Sequence, residues 1–382
     1  MPDPAVRNPF TPTFGSSPEL LVGRDDILNA FARGLDEGPG SPTRALLLSG
    51  QRGVGKTALL NAIEDRAQTL GWLAIAETAL EGLIDRLVTD HLPALLRNHD
   101  PRSVTRHLDG VTAPGGIGGA SFTVRDRHPG TPSLRSQLTD LTEILAPHRT
   151  GVLLTVDEVW PGSARELREL ATVIQHLFRE ARPVAVVMAG LPENVDTLLN
   201  GEAITFLRRA HHAILGAVTR AEARAALDVP VAAVGRRFTS DALDSAVDAT
   251  RGYPYMIQLI GYHAFAVHGE DVIDLDAVTT ARSRAIGEVG RMVHRPALRL
   301  LSAKELEFVR AMAIDDGPSH TSDIAARMDR SPAYVGQYRR RLLAKHIISA
   351  PAHGFVDLPM PGMRDYLRLD PETTEARYTG FW

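Results

Sequence analysis

Cysteine is absent from all 382 residues, which excludes disulfides, thiol nucleophiles, iron–sulfur clusters and cysteine-ligated zinc. Long hydrophobic runs are missing as well. No apolar stretch approaches the roughly eighteen residues that span a bilayer, and Met1-Pro2-Asp3-Pro4-Ala5 has neither the basic nor the apolar region of a secretion signal. The expected compartment is therefore the cytoplasm, with no membrane partner. Positive charge is in short supply: 42 lysines and arginines face 46 aspartates and glutamates, a formal net charge of −4. The molecule lacks the basic field of a protein that coats nucleic acid, so any DNA contact has to be local. The 14 histidines do not read as a metal site, because His211 and His212 are adjacent and His91 and His99 are separated by Pro93, unlike ligands one helical turn apart. With 44% hydrophobic and 23% charged residues, the chain has the composition of a globular protein and length for two or three domains.

What is present is concentrated first at residues 45–63. Ala45, Leu46, Leu47 and Leu48 predict a buried strand, and Ala58, Leu59, Leu60, Ala62 and Ile63 carry helical spacing. Between them stands Gly50-Gln51-Arg52-Gly53-Val54-Gly55-Lys56-Thr57, a complete G-x-x-x-x-G-K-T loop. Its glycines let successive backbone N–H groups turn inward on phosphates, Lys56 can reach β- and γ-oxygens, and the Thr57 hydroxyl is placed to ligate Mg²⁺. The phosphates would sit on a helix N-terminus, whose dipole favours anions. The expected ligand is ATP, with ADP as product.

A second motif ends the apolar run Val152-Leu153-Leu154-Thr155-Val156 in Asp157-Glu158. A buried parallel strand delivers such carboxylates at the ligand edge of an open α/β sheet. Asp157 is expected to hold Mg²⁺ through water and Glu158 to orient and deprotonate the attacking water, since phosphoryl transfer depends on positioning and charge neutralisation.

The order of elements predicts a parallel α/β sheet, a helical lid and a terminal helix-turn-helix. Residues 1–17, rich in proline, read as an extended arm with Asn8-Pro9-Phe10 tucked against the domain; 18–215 as the nucleotide-binding core; 216–297 as the lid; 298–370 as a winged helix; and 371–382 as a tail. Within the core, strands are expected at 72–76 and 184–189 and helices at 134–145 and 164–180, with one further strand near Ala120–Val124 in a glycine-rich loop. Thr219-Arg-Ala-Glu222 and Ser302-Ala-Lys-Glu305 are capping boxes, and Ser331-Pro332 is an N-cap followed by proline at the first helical position. Segments 347–350 and 354–358 look like two short strands around a Pro-Ala-His-Gly turn. In the helix before them Tyr334, Gln337, Arg340, Arg341 and Lys345 fall outward, a set suited to base edges and phosphates of double-stranded DNA, while an exposed basic helix that binds protein is the alternative.

Leu21-Val22-Gly23-Arg24-Asp25, the phosphate loop, Asp157-Glu158, Arg251-Gly252-Tyr253-Pro254 and the terminal helices together resemble AAA+ ATPases of the origin-recognition-like and archaeal-type group, such as bacterial AAA family ATP-binding proteins. By this resemblance the fold is a P-loop NTPase sheet with helical lid and C-terminal winged helix. Val22, Gly23 and Arg24 flank the adenine, Gln51, Arg52, Val54 and Ala58 join the nucleotide contacts of the loop, and Tyr253 and Pro254 set the lid over the base. Arg208 and Arg209 fall where the family tends to carry an arginine that contacts a neighbour's γ-phosphate, which requires a homo-oligomer; a solvated basic helix face is the plain alternative. Two departures from the family stand out. Val187-Met188-Ala189-Gly190 offers no polar sensor of the γ-phosphate, and no arginine follows Pro254 at the start of the lid helix. The resemblance with these departures implies a slowly hydrolysing ATPase acting as a switch on a DNA-binding winged helix. A signalling ATPase with a protein-binding winged helix and a non-hydrolysing DNA-loading adaptor are the alternatives.

Overall fold

The computed structural model describes residues 7–13, 15–99, 133–200, 207–267, 271–345, 347–360 and 362–368. The strand expected near 120–124 lies outside them. Two compact units share the chain in interleaved stretches, one made of residues 27–48 and 60–213, the other of 1–26, 49–59 and 214–382.

The first unit holds most of a five-stranded sheet ordered β2-β3-β4-β1-β5, with β1 Ala45–Gly50, β2 Leu73–Thr78, β3 Val152–Val159, β4 Val184–Gly190 and β5 His211–Leu215. β3 lies parallel to both neighbours, pairing Leu73 with Val152 on one side and Val152 with Val184 on the other. Every residue of β4 is buried, as are Val152 to Val156 of β3, and this burial on both faces explains why these strands read as continuous apolar runs rather than alternating ones. The helix Ala164–Arg179 supplies Leu167, Leu170, Ala171, Ile174 and Leu177 to that core at helical spacing. Ser133 caps the helix Leu134–Leu145 by accepting from the Ser136 amide, and Leu138, Leu141 and Leu145 are buried below it. At the entry to β1, Arg44 is buried between the rings of Trp72 and Phe178 and donates to the Arg182 carbonyl; burial pushes its pKa down to about 10.

The sequence 207–215 departs from the expected helix face. Leu207–Arg209 is a single 3₁₀ turn and His211–Leu215 an edge strand. Alternation decides this, since Ala213 and Leu215 are buried while His212 and Ile214 are exposed, a period of two that a helix cannot satisfy.

In the second unit, Thr219 and Glu222 form the expected capping box at the start of the helix Arg220–Ala233. The helices Ser240–Thr250, Pro254–Val267 and Leu275–Val289 follow, and between them β6 Arg237–Phe238 pairs in parallel with β7 Val272–Ile273. The arm docks here: Asn8 donates to the Tyr262 carbonyl at 3.0 Å, the Thr11 amide donates to Gln258 at 3.0 Å, and Phe10 is buried over Gly261. A Cβ on Gly261 would meet the Phe10 ring at 2.4 Å, so only glycine admits that contact.

The C-terminal stretch contains the helices Ala303–Ala313, Thr321–Arg327 and Pro332–Ala344 around a core of Phe308, Met312, Ile324, Val335, Leu342, Ile348 and Val356. The expected hairpin is reduced to one antiparallel bridge between Ser349 and Asp357. β9 Phe355–Val356 pairs instead with β8 Ser319–His320, because His320 is extended as the N-cap of the next helix and presents its backbone to the returning chain. A short helix, Met363–Arg368, closes the described chain.

Candidate nucleotide-binding site

β1 runs directly into the phosphate loop. Gly53 at φ +74° and Gly55 at φ +90° occupy the left-handed region that side chains disfavour. The helix Lys56–Thr69 then starts, its first-turn amides directed toward the loop as at any helix N-terminus. Lys56 folds its ammonium onto the carbonyls of Gly50 and Gln51, at 2.8 and 3.0 Å. Thr57 is exposed, Ala58 and Gln51 are half-buried, and Val54 is buried beneath the loop.

Three groups distant in sequence hold the same loop. Arg24 is buried and donates to the Val54 carbonyl at 3.3 Å and to that of Gly216 at 2.7 Å; burial lowers its pKa, an effect that nearby Glu222 opposes. Glu222 also lies against Gly23, where a Cβ would meet the carboxylate at 2.9 Å. Its own pKa is lowered, mainly by the Thr219 amide. The Tyr253 hydroxyl donates to the Arg52 carbonyl at 2.5 Å, and the Tyr255 amide donates to that of Gly53 at 3.1 Å. Burial raises the pKa of both phenols, so Tyr253 stays a donor at any ordinary pH. Gly252, at φ +69°, lets this segment approach Val218, whose carbonyl stands 2.2 Å from where a Cβ would be. Val22 and Pro254 are half-buried.

The acidic motif sits at the end of β3. The register with β4 slips between Val156 and Val159, a bulge that turns Asp157 and Glu158 out of the pleat. Glu158 is exposed at φ +55°, and its amide donates to Asp157 Oδ1 at 2.7 Å, which fixes one carboxylate against the other residue's backbone. Behind the strand Glu64 accepts from the Thr155 hydroxyl. Burial raises the Glu64 pKa, the Thr155 bond opposes this, and the negative charges of Asp65 and Asp157 add to it. On β2, Glu77 is paired with Arg86 at 2.7 Å and His91 at 2.9 Å; burial raises its pKa, but these two donors outweigh burial and leave it below the ordinary range.

A family model described as "AAA ATPase domain" matches residues 20–303. The chain belongs to the AAA ATPase domain family. A second model, described as "Domain of unknown function (DUF8462)", matches residues 291–367 of this AAA ATPase. No curated protein matches it. Among solved structures, the Walker-type ATPase PABY2304 of Pyrococcus abyssi is similar with a TM-score of 0.61 at 16% identity, over 91% of this chain and 96% of that one. The ORC2 protein of Aeropyrum pernix gives 0.48 at 16% identity, over 96% and 98%. RuvB of Thermotoga maritima gives 0.46 at 14%, over 93% and 99%. At 16% identity the likeness to PABY2304 concerns the fold alone.

The remaining expected residues of the AAA ATPase fall on two surfaces. Arg208 and Arg209 are exposed on their 3₁₀ turn, with Arg208 anchored to the Leu199 carbonyl at 2.6 Å. On the helix Pro332–Ala344, Gln337, Arg340 and Arg341 are exposed; Tyr334 is half-buried and shares a 3.2 Å hydroxyl contact with Tyr338, over whose ring Arg341 lies at 5.5 Å. Lys345 differs from the rest of this set. Its side chain is exposed as expected, but its ammonium is also held by both oxygens of buried Glu305 at 2.9 Å. Sequence reasoning did not single out Tyr255 or Glu64. Only their places, just after a lid proline and within the phosphate-loop helix, could have pointed to them.

Proposed function

We propose that this protein binds ATP with Mg²⁺ and hydrolyses it slowly in the cytoplasm, using the nucleotide state to switch a C-terminal winged helix that binds double-stranded DNA. The observation that carries the reading is the shape of the loop from Gly50 to Thr57, in which positive-φ glycines and a row of protein-held carbonyls set the orientation of the peptide planes. Lys56 then neutralises β- and γ-oxygens, and Val22, Gly23, Arg24, Tyr253 and Pro254 enclose the base side. Among the described residues there is no group of three or more acidic or histidine side chains that could cage a metal. By the chemistry of their side chains, the Thr57 hydroxyl and the Asp157 carboxylate would hold Mg²⁺, which takes oxygen donors. When bound, the ion supplies charge neutralisation to the phosphates. Glu158 orients the attacking water and takes its proton.

Slow turnover follows from the apolar end of β4, where Val187 to Gly190 provide no polar side chain, and from the lack of an arginine at the start of the helix that Pro254 opens. Arg208 and Arg209 act in trans in a homo-oligomer, and Tyr334, Gln337, Arg340, Arg341 and Lys345 face DNA. Two measurements test the reading. Glu158→Gln should keep ATP binding and lower phosphate release about 10²- to 10⁴-fold; wild-type rates in that variant would refute the role. Duplex-binding isotherms at several salt concentrations, with ATP, ADP or neither, should show a salt slope that falls by about one unit for each DNA phosphate left unneutralised in Arg340→Ala and Arg341→Ala. No duplex binding in any nucleotide state at low salt would move the function to a protein partner.

A further inference from the structure

Each carbonyl from Gly50 to Gly55 has a donor: Lys56 for Gly50 and Gln51, Tyr253 for Arg52, the Tyr255 amide for Gly53, Arg24 for Val54, and the Leu59 amide for Gly55. A trans peptide is planar, so its C=O and the N–H of the following residue point in opposite directions. Holding the Arg52 carbonyl therefore sets the Gly53 amide, and holding the Gly53 carbonyl sets the Val54 amide. Tyr253 is buried, its phenol oxygen stands 2.2 Å from where a Cβ on Gly53 would be, and its position is fixed in turn by the Tyr253 amide bond to the Thr250 carbonyl at 2.9 Å.

We propose that Tyr253 is a positioning residue for the phosphate chain of the nucleotide: its hydroxyl locks the Arg52–Gly53 peptide plane so that the Gly53 amide faces phosphate, and Tyr255 does the same for the next plane through its backbone. The inference rests on the nucleotide-binding reading above. These bonds act by keeping the competent loop populated, and losing one raises the apparent Kd by the fraction of loop that relaxes. Linkage makes the effect reciprocal: phosphate bound at the loop must steady the start of the lid helix.

The discriminating ligand is inorganic tripolyphosphate with Mg²⁺, which has the phosphates of ATP and no base. Tyr253→Phe, which removes one oxygen and keeps the ring, should weaken MgATP and magnesium tripolyphosphate by the same factor, about 3- to 10-fold, in isothermal titration. In the wild type both ligands should slow hydrogen exchange at the Tyr255 amide, and less so in the variant. Weakening of ATP alone would assign the hydroxyl to the base and overturn the proposal, as would unchanged binding of both. Should the variant not fold, exchange in the wild type decides, and a Tyr255 amide indifferent to tripolyphosphate rejects the idea. A wild type that binds neither ligand refutes the nucleotide reading itself, whereas one that binds both with an unaffected variant refutes only the role of Tyr253.

Discussion

The chain bends sharply at the ends of two parallel strands and does so by opposite means. Leaving β1, the left-handed positions are Gly53 and Gly55; leaving β3, the left-handed position is Glu158, at φ +55°. Glycine accepts such a conformation without steric cost, whereas a residue with a Cβ pays about 1–2 kcal/mol for it. The difference follows from which part of the residue acts. In the proposed nucleotide site the backbone amides of the loop do the binding and a side chain would obstruct them. In the proposed reaction Glu158 acts through its side chain, so glycine is not an option there and the strain is retained, as is common at functional sites.

Three substitutions test that contrast. The largest effect is expected from Gly53→Ala, which meets an unfavourable φ and drives a Cβ into the Tyr253 hydroxyl. Strain and overpacking together should cost about 2–4 kcal/mol in denaturant unfolding and weaken ATP by about 100-fold or more. An alanine accepted at wild-type affinity would mean that the loop is not shaped by glycine. Next is Glu158→Gly, predicted to raise stability by about 0.5–1 kcal/mol while losing hydrolysis at least as far as Glu158→Gln, which should be unchanged in stability. Equal stability of the glycine and glutamine variants would remove the strain from the account.

The smallest effect concerns Glu64, under the β3 bend. Its folded pKa is raised by burial, so folding is favoured by the protonated form, and the carboxylate costs stability as pH rises from the unfolded pKa through the folded one. Glu64→Gln should therefore raise the thermal midpoint at neutral pH, and the gain should shrink toward pH 4. A gain that grows on acidification would reverse the assignment.

The sequence exposed those features whose cause is local. Glycine spacing, an apolar run buried on both faces, and Ser or Thr three residues before Glu are short-range signals, so the loop, β3, β4 and the capped helices were all legible. Partners brought together by folding were not. Nothing around Tyr253 indicates that its hydroxyl meets Arg52, and the Tyr255 contact is made by backbone, which no side chain announces. β8 has two residues, too few to show a period, and the pairing of outward Lys345 with Glu305 was hidden because Glu305 is buried on a different helix. Residues 207–215 were misleading for another reason: two arginines and two histidines in a row imitate a polar helix face, and only the alternation after them marks an edge strand.

The shell of donors around the loop also bears on where this chain can be cut. Gly50 to Gly55 belong to the compact unit that contains residues 214–382, although most of β1 belongs to the other. A chain shortened to end at residue 215 would keep every letter of the phosphate-binding motif and lose Tyr253 and Tyr255, leaving the Arg52 and Gly53 carbonyls to water. The motif is a property of eight adjacent residues; the working loop is assembled from both ends of the protein.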